Sequence, residues 1–168
     1  MPPSVRLVQM TSEQAEDYLE RDVNQLAQEN VAAGYWSPDE ALERSRKTHT
    51  NLLPLGPATE GHHFFTIVDS GSGEAVGSTW LHEDHSVNPP TGFIFDIDID
   101  ESRRRRGYGE RTMLALEALA TVHGLRHLGL HVYAHNAGAR RLYEKLGYAV
   151  RSLNMIKTLD RPRDAGRE

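Results

Sequence analysis

Arg103-Arg104-Arg105-Arg106-Gly107-Tyr108-Gly109 joins two runs of different character. Before it stands Phe93-Ile94-Phe95-Asp96-Ile97-Asp98-Ile99, which reads as a strand. After it stands Glu110-Arg111-Thr112-Met113-Leu114-Ala115-Leu116-Glu117-Ala118-Leu119, which reads as a helix. A Gly-rich turn that opens a helix points several backbone N–H groups at one spot, and the helix dipole adds partial positive charge there. Such a turn suits a phosphate. Gly107 and Gly109 would let a pyrophosphate reach the backbone without meeting a Cβ. The physics predicts a phosphate-bearing cofactor at a strand-to-helix turn, against the plainer reading of a tight turn beside a solvated Arg cluster. The best-known phosphate fingerprints do not fit: no Gly-x-x-x-x-Gly-Lys-Ser/Thr is present, and Thr112 breaks Gly-x-Gly-x-x-Gly.

The segment resembles the acyl-CoA loop of the GNAT-type N-acetyltransferases, Arg/Gln-x-x-Gly-x-Gly/Ala, read here as Arg104-x-x-Gly107-x-Gly109. A second motif follows in register. The family's Asn-x-x-Ala-x-x-x-Tyr-x-x-x-Gly-Phe/Tyr is matched by Asn136, Ala139, Tyr143, Gly147 and Tyr148. The resemblance covers residues 64–158 and is closest over 92–148, where it is similar to the ribosomal-protein N-acetyltransferase branch. Arg105 departs from it, since relatives often carry Gly there. The resemblance implies an α/β GNAT fold, a mixed central sheet with helices on both faces. It implies a splayed pair of parallel strands, at 92–99 and 127–135, that admits the pantetheine arm of acetyl-CoA against the backbone of Ile97 and Ile99. It further implies that Arg104, Arg105, Arg106, Gly107, Tyr108 and Gly109 hold the pyrophosphate, that Asn136 and Ala139 help seat the cofactor, and that Tyr143 protonates the leaving thiolate. One domain over 1–160 and a flexible tail over 161–168 are expected.

The composition sets limits. A chain of 168 residues with 38% hydrophobic residues suits one compact core. No stretch approaches the roughly 18 apolar residues of a membrane span, and the start lacks a signal core, so a cytoplasmic protein without a membrane partner is expected. With no Cys, no enzyme thiol can carry the acyl group. Transfer would go directly to the acceptor, or through a Ser or Tyr ester. A net charge of −5 argues against general nucleic-acid binding. Acidic residues crowd 11–45, among them Glu13, Glu16, Glu20, Asp22 and Glu29. Such a surface would attract a cationic amine, unless it is only a solvated helix face.

The pattern along the chain predicts a strand over Val5–Gln9, then a helix capped by Thr11 with Gln14 as its capping-box partner and stopped by Gly34. Ser37-Pro38-Asp39-Glu40 starts a second helix that ends before Pro54. His62–Val68 and Glu74–Leu81 read as a hairpin. A period-2 strand over 127–135, a helix capped by Asn136 and a last strand over Tyr148–Lys157 complete the order β, α, α, β, β, β, α, β, α, β.

Amide formation from a thioester needs a base for the amine and a proton for the departing thiolate. Tyr143 suits the donor as a phenol, although its place beside Leu142 and Leu146 also fits a core aromatic. Asp96 and Asp98 are the candidate bases. In an extended strand they share a face opposite Phe95, Ile97 and Ile99, and neighbouring carboxylates raise one another's pKa. They could equally anchor the acceptor's ammonium, and Asp98 is preferred for its nearness to the loop. His131 and His135 are rivals on one strand face. His62-His63 and His82-x-x-His85 raise the question of a metal, which this chemistry does not need, and none is expected. The expected activity is acetyl transfer from acetyl-CoA to a primary amine of a small molecule or of a protein N-terminus or lysine. Acceptor choice would rest on residues 11–60 and 82–91. The rival readings are an acyl-CoA-binding sensor and a nucleotide- or RNA-binding protein. A homodimer is left open.

Overall fold

A computed structural model describes residues 3–157 and 159. Its elements are β1 (Val5–Gln9), α1 (Ser12–Ala32), α2 (Pro38–Leu52), β2 (His62–Asp69), β3 (Ala75–Asp84), β4 (Thr91–Ile99), α3 (Tyr108–Val122), β5 (His127–Leu130) and α4 (Ala137–Lys145). They fall into two compact units, Met1–Tyr133 and Ala134–Glu168. The tail expected over 161–168 lies outside the described residues.

The first unit is built on a five-stranded sheet in the order β1-β2-β3-β4-β5. The first four strands run antiparallel, and β5 joins β4 in parallel. Helices cover both faces. Tyr18 and Ala15 of α1 pack with Leu53, Phe64 and Trp80 on one face. Tyr108 of α3 packs with Ile67 and Val76 on the other, joined by Val5, Leu7, Ile97 and Ile99.

Local signals explain the helix starts. The Thr11 hydroxyl accepts from Gln14 N at 3.2 Å, and the Gln14 side chain accepts from Thr11 N at 2.9 Å. This reciprocal pair satisfies two otherwise orphaned donors. Ser37 precedes α2 without a side-chain capping bond, so the first-turn Pro38, Asp39 and Glu40 carry that start. The buried stripe of α2 is Ala41, Ser45 and His49, which is largely polar. The Ser45 hydroxyl meets the demand for a partner by donating to the Val23 carbonyl at 2.7 Å.

Two strand expectations need correction. The strand expected over 127–135 stops at Leu130. Its ladder with β4 runs only from Thr91↔His127 to Ile94↔Leu130, so the next residues have no neighbour to hold them extended. Among the described residues no strand follows α4, and the one expected over Tyr148–Lys157 is absent. Val150, Leu153, Met155 and Ile156 are exposed there, so no alternate burial enforces an extended backbone.

A third correction concerns β4. Trp80 pairs with Asp96 while Leu81 pairs with Ile94, so Phe95 is an extra residue in a β-bulge. Instead of lying opposite the aspartates, Phe95 stacks on Trp80 with ring centroids 4.6 Å apart and lines the same pocket as Asp96. The bulge resets the alternation, which a strict period of two had carried straight through.

Candidate active site

The Arg loop folds as a backbone device. Gly107 precedes α3 with φ 91°, in the left-handed region open to glycine, and offers no side-chain cap. Arg105 holds φ 60°, a left-handed backbone that glycine adopts more readily. The first turn-closing bond of α3 runs from Arg111 N to Gly107 O at 3.1 Å. The N–H groups of Tyr108, Gly109 and Glu110 therefore precede the helix ladder.

Side chains of the loop turn largely to the protein itself. Arg103 pairs with Glu74 at 2.6 Å. Arg104 donates through Nε to the Ile99 carbonyl at 2.8 Å and through Nη2 to Asp98 Oδ1 at 3.1 Å. The Ile99 carbonyl, expected to meet a pantetheine amide, is thus engaged by Arg104. Tyr108 is buried, and its hydroxyl donates to Asp69 Oδ2. That residue's side chain belongs to the core, and its backbone is the part left to a ligand.

The pairing of β4 with β5 covers only part of β4. Beyond Ile94 and Leu130 the two strands no longer pair, while β4 continues beside β3 to Ile99. The segment Phe95–Ile99 therefore has no strand partner on its β5 side among the described residues.

On the α1/α2 face of that segment lies a pocket of about 200 Å³. Asp22, Gln25, Leu26 and Glu29 of α1, Thr48, His49 and Leu52 of α2, Trp80 of β3, and Phe95 and Asp96 of β4 line it. Asp96 Oδ2 accepts from the Tyr18 hydroxyl at 2.8 Å. Withdrawal from water, reinforced by the Asp22 charge and opposed by the Tyr18 hydrogen bond, pushes the Asp96 carboxyl up to about 7. Burial and the Asp96 charge push the Tyr18 hydroxyl well above its ordinary range. Beside them His49 Nε2 meets Asp22 Oδ2 at 2.7 Å, and His49 Nδ1 donates to the Ser45 carbonyl at 2.9 Å. Burial disfavours a charge on His49, but the bonds to Asp22 and Ser45 outweigh it and raise its pKa. Asp98, the base preferred from the sequence, shares the Asp96 face but faces Arg104.

In the second unit, Asn136 accepts from Ala139 N at 3.1 Å, so two residues expected at the cofactor meet as the cap of α4. Tyr143 lies on α4 with its ring centroid 6.0 Å from that of Tyr148. His131 follows the end of β5 and sets its ring edge-on to Tyr133, so no strand face joins it to His135.

Among the described residues no group of three or more His, Cys, Asp or Glu forms a metal-holding set. The histidines near β3 do converge, on the carboxylate of Glu83. His123 Nδ1 lies 2.6 Å from Oε1, His85 Nε2 3.1 Å from Oε2 and His63 Nε2 3.5 Å from Oε1. His62 accepts from Trp80 Nε1 at 3.0 Å, and burial beside His82 lowers its pKa to about 4.

Sequence reasoning gave no site role to Tyr18, His49, Trp80 and Phe95, and took Asp22 only as part of an acidic surface. A signal existed for His49: the α2 positions at core spacing are Ala41, Ser45 and His49, and polar side chains at such positions need a reason. Tyr18 and Asp22 follow Ala15 at helical spacing on α1.

The GNAT acetyltransferase family model matches residues 15–148. The chain belongs to this family. A relative named "Uncharacterized N-acetyltransferase YycN", from Bacillus subtilis (strain 168), is 35% identical over 156 residues, 93% of this chain and 99% of the relative. The crystal structure of YycN superposes with a TM-score of 0.89 at 34% identity, covering 94% of this chain and 100% of YycN. Mycothiol acetyltransferase of Mycobacterium ulcerans (strain Agy99) is 28% identical over 156 residues, 85% of this chain but 48% of that protein. The GNAT fold expected from the two motifs is the fold observed.

Proposed function

We propose that this GNAT protein transfers an acetyl group from acetyl-CoA to a primary amine held in the α1/α2 pocket. One observation carries the reading. Asp96, a carboxyl with a pKa of about 7, lines a pocket on the stretch of β4 that β5 has left unpaired. A base poised near neutral pH thus lies on the strand segment open to the acyl donor.

The residues present fit acetyl-CoA. The backbone of Phe95–Ile99 offers an edge for the pantetheine amides. The side-chain-free start of α3 at Gly107 and Gly109, with Arg105 and Arg106 nearby, suits the pyrophosphate. Bound there, acetyl-CoA would supply an activated thioester. Asp96 accepts a proton from the acceptor's ammonium and delivers the neutral amine. Tyr143 is assigned the proton for the thiolate sulfur, on the family motif. Asn136 and Ala139 order the start of the helix that carries it. Asp22, Glu29 and Asp96 favour a cationic acceptor, and Leu26, Leu52, Trp80 and Phe95 favour an apolar body on it. A cytoplasmic location, where acetyl-CoA is available, goes with this reading.

The test is a panel of small-molecule amines, amino-terminal peptides and lysine peptides, with free-CoA release as readout. Release with a primary amine, lost in Asp96→Asn, is expected. Tight acetyl-CoA binding with no release on any amine would instead make the chain a sensor.

A further inference from the structure

We infer that Tyr18 positions the base: its hydroxyl occupies Oδ2 of Asp96 and so leaves Oδ1 as the atom that takes the acceptor's proton. The inference rests on the reading of Asp96 as the base and adds a residue that lies outside the motifs at 104–109 and 136–148.

The geometry leaves the phenol little freedom. Tyr18 is 3% exposed, and its ring packs against Phe64 with centroids 5.8 Å apart. The hydroxyl can leave the carboxylate only if the ring leaves the core. An ionised carboxylate only accepts hydrogen bonds, so the phenol must donate. With Oδ2 holding this bond at 2.8 Å and no hydrogen bond on Oδ1 among the described residues, Oδ1 is the freer site for an incoming proton. One carboxylate oxygen is thereby made structural and the other chemical. The backbone is held as well, because the Thr79 hydroxyl donates to the Asp96 carbonyl at 2.7 Å.

The charged and titratable groups around Asp96 come from several elements. From α1 come Tyr18, Asp22 and Glu29, and from β4 comes Asp98. From α2 comes His49, acting through Asp22. The Asp22, Asp98 and Glu29 charges disfavour a charge on Asp96, whereas the Tyr18 hydrogen bond favours the anion. Tyr18 and Asp22 therefore push the same proton equilibrium in opposite directions, which a merely space-filling tyrosine would not do.

The experiment is the pH dependence of kcat/KM on an accepted amine, paired with a carbon-13 NMR titration of the Asp96 carboxyl in the full chain. Tyr18→Phe keeps the ring and removes the donor, so the acid limb and the carboxyl titration should both move up by about one pH unit. A fluorinated tyrosine introduced at position 18 alone is a stronger donor on the same frame, and should move both down. Asp22→Asn should also move both down. A structural role predicts a lower melting temperature with the limb unmoved, and that result, with Asp96→Asn inactive, would overturn the Tyr18 inference alone. Full turnover in Asp96→Asn would overturn the base assignment itself. The NMR titration would still report whether Tyr18 tunes the carboxyl.

Discussion

At Asp96 the folded chain holds a carboxyl at about 7, where an exposed one sits near 3.8. A raised carboxyl pKa means that folding favours the protonated form. Stability is therefore lost as pH climbs from the unfolded value through the folded one. Asp96→Asn, which keeps an acceptor for Tyr18 and never ionises, should melt several degrees above wild type at pH 8. The gap should close toward pH 4, while turnover is abolished throughout. Equal melting at both pH values would show that Asp96 is not strained by its site. Tyr143→Phe makes the complementary case: CoA affinity and melting temperature should hold while turnover falls by roughly 10²–10⁴-fold, as for loss of a general acid. Near-normal turnover where chemistry limits the rate would remove Tyr143 from the mechanism. Asp96 was legible in the sequence because it interrupts an apolar strand run. Tyr18 was not, since one tyrosine on an amphipathic helix looks like any other core aromatic until its hydroxyl is seen to meet a partner 78 positions away.

Helix α3 and the strands around it show what an element-level signal can carry. The loop glycines were read together, but the structure separates them. Gly107 needs its left-handed backbone, so a side chain there strains the turn whatever binds. Gly109 sits inside the first turn of α3, where the helical backbone needs no positive φ. Gly109→Glu puts a carboxylate in that first turn, so it should keep the melting temperature through the helix dipole and weaken CoA binding at least tenfold by calorimetry, about 1.4 kcal/mol. Unchanged affinity would remove the α3 start from the cofactor site. At the far end of β3, burial pushes Glu83 up, and the hydrogen bonds from His123 and His85 outweigh it, leaving its pKa below the usual value. A lowered carboxyl pKa gives stability that is present above the unfolded value near 4.5 and lost as pH falls through the folded one. The melting advantage of wild type over Glu83→Gln should be largest at pH 6 and shrink below about pH 4.5. A constant gap would mean that packing, not charge, holds the cluster. Strand existence was legible for β1 to β4 from alternation and turn residues. The length of β5 was not, because alternation continues in the sequence past the point where its partner has gone.

For the molecule as a whole, the net charge of −5 and the acidic α1 favour cationic acceptors, but His49 sits against Asp22 and Asp96 shares its charge with a proton near neutral pH. The steering should therefore be modest. KM for a cationic amine should rise with salt as the screening length shortens to about 10 Å near 0.1 M, with kcat unchanged. A neutral amine that bound better and ignored salt would end the idea of a cation-selective pocket. The bulge at Phe95 has a different kind of consequence. Every residue of β4 after it meets the face that a plain count from Phe93 would deny it, with the isoleucines toward α3 and the aspartates on the other side, where Asp96 lines the pocket. A lineage that lost one codon here would write the same aspartates onto the other side of the sheet and leave a greasy wall where Asp96 had stood. The chemistry of this strand is thus encoded by a length as much as by a choice of residue, and a comparison that scores substitutions while forgiving gaps would read such a descendant as nearly unchanged.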